Sequence, residues 1–386
     1  MKCVSALSTA RASESAFRQV LEKLEKGLGG DTADLCVLFS SMHHADELGR
    51  ISLELNERGR TRHVLGCTAE SLVGEDREVE GSPGLALWAI SLPGVSLRPV
   101  RLDEPAGATL QNFESLPEPE KAALLLLADP FSFRTEDLLQ RLNEQAPGLR
   151  VIGGNASGSQ VPRANQLVLD GEAYCDGAVG MLLGGGLNLR TVVSQGCRPV
   201  GRTMIVTRAE HNVIRELGRR PALDVLREMF QELSDDDQRR IQDGLHIGRV
   251  INEYQEKFQR GDFLVRNVTG ADDSGAIQIT DLVRVGQTVQ FHVRDAETAD
   301  EDLRENLLSA REQFPGLSPP LGALLFTCNG RGTRLFDEAD HDVKLIHEIC
   351  GPIPVAGFFA MGEIGPIGGQ NFLHGFTASV ALFERA

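Results

Sequence analysis

The chain has 386 residues, enough for two or three domains, and its 41% hydrophobic and 24% charged residues are those of an ordinary globular protein rather than a disulfide-stapled miniprotein. Aromatics make up only 5%, with one Trp and two Tyr, too few for a platform that stacks single-stranded nucleic acid. Thirty-nine Lys and Arg against 55 Asp and Glu leave a net charge of −16, which repels phosphate backbones and anionic lipid heads, so neither nucleic acid nor a membrane is expected as a partner.

The first nine residues lack the apolar core of a signal peptide and read as an edge strand. Ser13 is placed to cap a helix whose Ala16, Phe17, Val20, Leu21 and Leu24 form one face, with Gly27 as its stop. A first unit then runs as strand 35–39, a helix carrying Leu48, Ile51 and Leu55, strand 63–69 ending in Gly66-Cys67-Thr68-Ala69, and closing strand 85–90. The order recurs with strand 123–127, a helix with Leu138, Leu139, Leu142 and Ala146, strand 150–156 ending in Gly153-Gly154-Asn155-Ala156, and strand 178–183. The apolar run 122–128 is far too short to cross a bilayer.

Residues 210–260 read as helical, with Asp235-Asp236-Asp237 as a solvated turn, and 263–268 and 276–293 as strands about a turn at 270–275. Residues 315–320 carry the clearest linker signal. A third unit follows: strand 323–326, a helix with Val343, Ile346 and Ile349, strand 354–360 ending in Gly357-Phe358-Phe359-Ala360, and strand 376–383. One element order met three times predicts an α/β fold of mixed sheets flanked by helices, built from three related βαβ-plus-strand units. Right-handed crossovers bring each unit's first two strand ends to one sheet edge, where ligands bind. Ser40, Ser41, His43, His44, Thr68, Asp129, Asn155, Ser157, Asn329, Arg331 and Glu363 project there.

No Walker P-loop, G-x-G-x-x-G, H-E-x-x-H or G-x-S-x-G occurs, so no complete catalytic signature is present. Glu363 lies in the glycine-rich run 362–369 and could hold an ammonium or guanidinium, or simply cap neighbouring N–H groups. Arg331, between Gly330 and Gly332, could clamp a carboxylate or phosphate with its fork; the plain alternative is a surface pair with Asp337 or Glu338. Cys67 would be a nucleophile only with a base beside it and is otherwise a small buried thiol. His374 is a candidate ligand donor or acid–base group, or a brace for the glycine loop. His43 and His44 point apart and make a poor metal pair. Seven scattered cysteines without a C-x-x-C suggest reduced thiols, a cytoplasmic setting and no metal site.

These residues resemble the FIST family. The runs 66–71, 153–158 and 195–201 resemble its FIST-N signatures. Asn329-Gly330-Arg331-Gly332 and the run 357–369, continuing through Asn371-Phe372-Leu373-His374-Gly375, resemble its FIST-C domain. The resemblance implies a FIST-N-like domain at 1–205 and a FIST-C-like domain at 206–386. It also implies a cytoplasmic sensory module that binds a small polar ligand, with amino acids and their derivatives as candidates, and signals to a protein such as a histidine kinase. Thr68, Asn155, Ser157, Asn329, Arg331, Glu363, Asn371 and His374 are then the ligand-binding set. Eukaryotic relatives carry an F-box ahead of the module, and the early first strand leaves no room for one here. Alternatives are a haem-based nitric-oxide sensor, although no haem-ligand motif matches, an enzyme using Cys67 or His374, and an interaction scaffold.

Overall fold

The computed structural model describes residues 1–384 apart from 59, 104–112, 114, 115, 117, 256, 259 and 315–317. The first unit comprises β1 (Cys3–Ser8), α1 (Ser13–Leu28), β2 (Ala33–Ser41), α2 (Leu48–Glu57), β3 (Thr61–Ala69), the hairpin β4 (Leu72–Gly74) and β5 (Arg77–Val79), and β6 (Leu85–Ile90). Ser13 is the first helical residue of α1 rather than its cap, because its hydroxyl bonds His44. The helix passes Gly27, which lies against Val4 where a Cβ would clash, and ends at Gly29 in the left-handed region. The second unit repeats the order: β7 (Ser96–Leu102), β8 (Ala123–Ala128), α3 (Thr135–Gln145), β9 (Arg150–Asn155), the hairpin β10 (Leu167–Leu169) and β11 (Glu172–Tyr174), and β12 (Ala178–Gly184).

The third unit opens with β13 (Leu189–Gln195), and the chain then builds a separate compact unit from residues 195–302. Its elements are β14 (Cys197–Glu210), β15 (Val213–Leu217), β16 (Arg220–Pro221), α4 (Ala222–Glu232), α5 (Asp235–Asp243), β17 (Leu245–Val250), β18 (Phe263–Ala271), β19 (Ile277–Ile279) and β20 (Thr288–Arg294). Strands β14, β20, β17, β18, β19 and β15 pair antiparallel in that order, and β15 pairs back to β14, closing a barrel around Val206, Ile214, Ile247, Ile277 and Phe291. Closure leaves no exposed edge in the ring. The helical reading of 210–260 is therefore corrected: among the described residues of this range only α4 and α5 are helical, and the strands around them pack into the barrel. Asp235-Asp236-Asp237 is the first turn of α5, where acid side chains favour the positive end of the helix, behind a Ser234 cap. The run 276–293 is two strands with a turn between.

Returning through α6 (Ala296–Glu312), the chain completes the third unit with β21 (Gly322–Cys328), α7 (His341–Cys350), β22 (Val355–Ala360), the hairpin β23 (Glu363–Ile367) and β24 (Gln370–His374), and β25 (Thr377–Phe383). Part of the linker at 315–320 lies outside the described residues. Residues 1–194 with 303–386 form one compact unit of three six-stranded sheets, ordered β1-β6-β2-β3-β10-β11, β7-β12-β8-β9-β23-β24 and β13-β25-β21-β22-β4-β5. The same order holds in each, with first and second strands parallel and the closing strand antiparallel. Each sheet ends on a hairpin borrowed from another copy: the first copy's hairpin joins the third sheet, the second's the first, and the third's the second.

The inner sheet faces share one apolar core in which Phe39, Phe326 and Phe358 meet with ring centroids 5.0–6.3 Å apart. The outer faces are covered by α1 and α2, by α3, and by α6 and α7. Being covered on both faces, β8 reads as an unbroken apolar run and is buried throughout.

Candidate functional site

Sheet register defines equivalent positions in the three copies, and the equivalence isolates one residue. Where the borrowed hairpins meet the second strands, Leu167 faces Cys67, Leu72 faces Phe358 and Glu363 faces Gly154. Two copies bury a leucine there and the third buries a carboxyl. Glu363 is fully buried; its Oε2 accepts from the Thr377 backbone N–H at 3.0 Å and hydroxyl at 2.8 Å, and its Oε1 has no partner. Burial pushes Glu363 up to about 8 despite the Thr377 donors, the Cys328 thiol and the Arg331 charge beside it.

Arg331 lies just past the end of β21 and is 1% exposed, so the surface pair with Asp337 or Glu338 does not form. Its fork closes on buried Asp342 in the first turn of α7, Nε to Oδ2 at 2.8 Å and Nη2 to Oδ1 at 2.7 Å. Asp342 also accepts from the Thr327 hydroxyl at 2.7 Å and faces His341 Nδ1 at 2.9 Å. Although burial opposes it, the Arg331 cation holds Asp342 below the usual carboxylate range, and Asp342 raises Arg331 in return. The guanidinium carbon lies 5.1 Å from the centre of the Phe336 ring. Its remaining nitrogen, Nη1, is buried without a partner.

The borrowed hairpin of the first copy supplies Glu78. Its Oε1 accepts from Val343 N–H, capping the first turn of α7, while Oε2 is buried and unpartnered. Burial first, and then Asp342, push Glu78 up to about 8. Asn329 adds a fourth orphan, its Oδ1. Four buried polar atoms around the end of β21 thus lack partners: Glu363 Oε1, Arg331 Nη1, Glu78 Oε2 and Asn329 Oδ1. Most buried polar groups are satisfied, and such a concentration marks a place where a polar ligand could bind.

Most of the other sequence candidates make hydrogen bonds within the fold. Backbone N–H groups of Thr68, Asn155 and Phe359 donate to Gln166, Gly362 and Ser71 carbonyls, one bond per copy. Ser157 N–H donates to the Thr68 carbonyl and Met361 N–H to the Asn155 carbonyl; in the remaining copy the Ser157 hydroxyl accepts from Glu70 N–H and donates to the Phe359 carbonyl. The Thr68 hydroxyl accepts from Gln166 N–H, and Asn155 accepts from the Thr135 hydroxyl. Asn371 uses both ends of its amide on Val151, Leu149 and Asn143. His374 Nε2 is 2.9 Å from the Gly365 carbonyl. Cys67 lies in the shared apolar core, where burial pushes its thiol up, away from nucleophilic use. His44 is buried against Ser13 while His43 is exposed. Asp342, Glu78, Cys328 and Thr377 escaped the sequence reading; an acid in the first turn of α7 was the signal for Asp342.

Among the described residues no His, Cys, Asp and Glu side chains gather as a metal site, and all seven cysteines are free. The residues around the site do not fit a haem: His341 stacks 3.4 Å from the Phe336 ring centre beside carboxyls and a guanidinium, and His374, opposite Glu363 across the hairpin, has its Nε2 2.9 Å from the Gly365 carbonyl.

The FIST N domain profile matches residues 34–220 and the FIST C domain profile residues 222–366, so the chain belongs to the FIST family. It is 42% identical over 381 residues to the uncharacterized protein Rv0628c of Mycobacterium tuberculosis strain H37Rv, covering 98% of both chains. It is also 42% identical over 360 residues to the uncharacterized protein Mb0898c of Mycobacterium bovis, covering 92% of both.

Proposed function

We propose that this protein is a cytoplasmic sensor that binds a small zwitterionic or otherwise polar molecule, such as an amino acid, at the end of β21 and passes its occupancy to a signalling protein. The observation that carries this is the group of four unpartnered buried polar atoms around the end of β21, one cationic donor among three oxygens, one of them Glu363 Oε1 at the one hairpin position where a carboxyl replaces leucine. Arg331 Nη1 suits a ligand acceptor and Asn329 Oδ1 a ligand donor, while Glu363 Oε1, protonated in the empty site, accepts from a ligand cation when the carboxyl gives up its proton. Because Asp342 already holds the Arg331 fork, the ligand's anionic end receives a single guanidinium bond rather than a bidentate clamp. No helix among the described residues is long and apolar enough to cross a membrane.

The test is native mass spectrometry of the purified chain, followed by calorimetric titration of any retained molecule, or of the twenty amino acids if none is retained, into wild type and Glu363→Gln. Binding by wild type that is weakened tenfold or more in the variant supports the proposal. Binding unchanged in the variant, or no binding across the panel and no retained mass, overturns it.

A further inference from the structure

The barrel of residues 195–302 carries an open groove of about 530 Å³ that owes nothing to the β21 site. Its walls are apolar, formed by Met204, Ile205, Leu217, Val225 and Phe258. Phe258 is held in place by buried Phe263, with ring centroids 6.0 Å apart. Ile205, 54% exposed, forms the outer edge of the apolar wall.

One rim of the groove carries an arginine for a structural reason. Pairing of β14 with β20 jumps from Val200 opposite Phe291 to Met204 opposite Val289, so residues 201–203 bulge out of the ladder. Gly201 makes the turn with φ +64, and its carbonyl is pinned by the Gln290 amide at 2.9 Å. The bulge carries Arg202 and Thr203 to the groove. Arg202 makes no hydrogen bond or salt bridge among the described residues. The other arginine of the rim, Arg220, is closed on Glu228. Glu228 and Glu253, the latter with its Oε1 accepting from Thr288 N–H at 2.8 Å, balance the two arginines, so the groove carries no net charge and Arg202, which only feels Glu228 at a distance, is its one guanidinium without a hydrogen bond.

We infer that this groove is a second binding site, for an amphipathic anion: an aliphatic chain lying along the apolar walls with a carboxylate taken by Arg202. An apolar wall alone would accept any hydrocarbon; the unpaired guanidinium on the bulge selects for the anionic head. The volume exceeds what an amino acid fills and suits a chain of ten or more carbons.

The experiment uses the full-length protein and three probes below their micelle concentrations: decanoate, decan-1-ol and decyltrimethylammonium. Binding is followed by calorimetry and by methyl NMR of Met204, Ile205 and Val225. Decanoate is expected to saturate at one per chain and to shift those methyls, with decyltrimethylammonium at least tenfold weaker. Arg202→Gln, a change at an exposed residue, should weaken decanoate at least tenfold and leave decan-1-ol unchanged. Thr288→Trp, which fills the groove, should abolish both, with a circular dichroism spectrum to show that the barrel is intact. The inference is overturned if decanoate does not saturate, if the cationic probe binds as tightly, if Arg202→Gln binds decanoate normally, or if the shifted methyls lie elsewhere. None of these results bears on Glu363, so the two sites stand or fall separately.

Discussion

Arg331 and Asp342 form the most deeply buried ion pair described here, at 1% and 0% side-chain exposure. Removing one partner strands the other charge in an interior with nothing to replace it. Arg331→Met is therefore expected to cost about 3–5 kcal/mol in urea unfolding, and Arg331→Lys less, since it keeps the charge but loses the fork. A loss under 1 kcal/mol for Arg331→Met would show that the pair is solvated in solution. Glu363 makes a different statement. Its carboxyl titrates near 8 in the native protein and near the ordinary 4.5 when unfolded, so between those values the native state holds a proton that the unfolded state has released. Stability from this group is therefore present at low pH and is lost as pH rises through that window. Glu363→Gln keeps an acceptor for Thr377 and does not ionise, so it should gain on wild type steadily from pH 5 to 8.5 in paired urea titrations. A flat difference would mean that Glu363 is ionised throughout. Subtracting the variant isolates Glu363 from Glu78, which shifts in the same direction.

The element that recurs is a strand ending in Gly-x-x-Ala, and the structure explains the glycine. A Cβ on Gly66, Gly153 or Gly357 would stand 2.2, 1.9 or 1.7 Å from the carbonyl oxygen of Leu38, Leu126 or Leu325, the residue paired with it on the neighbouring parallel strand. Backbone cannot yield as a flexible side chain can. Gly357→Ala is expected to destabilise by at least about 3 kcal/mol. Gly270→Ala, in an exposed stretch of β18 with nothing within 4 Å, should stay within about 0.5 kcal/mol. Equal effects in chemical denaturation would remove this account of the motif. The motif was legible because a steric demand repeated three times leaves the same residue three times. The strands β14 and β15 were not, since half-buried barrel strands rich in charge, such as 205–217, carry no clean alternation.

Across the whole molecule, the exchanged hairpins make the three copies interdependent. Residues 1–92 alone would expose the β3 edge that β10 covers and the inner face bearing Phe39 and Trp88. That fragment should give a collapsed amide spectrum in NMR, whereas residues 195–302, a closed barrel with its own core, should give dispersed signals and cooperative unfolding. A dispersed spectrum from 1–92 would show that each copy folds without its borrowed hairpin.

The sequence by itself determined the local grammar of this protein: strand, helix and strand set by apolar periodicity, the glycines set by backbone approach, the family signatures and the acidic surface. It also singled out Arg331, Asn329 and Glu363, because polar side chains beside glycines at strand ends follow from short-range rules. Only the tertiary structure decided what those side chains do. Asp342 meets Arg331 through the placing of α7, and Glu78 arrives from more than 250 residues away on a hairpin lent by another copy. The reason is physical. Local backbone preference acts over a few residues, while the burial that raises Glu363 and Glu78 and the pairing that lowers Asp342 depend on which surfaces long-range packing brings together.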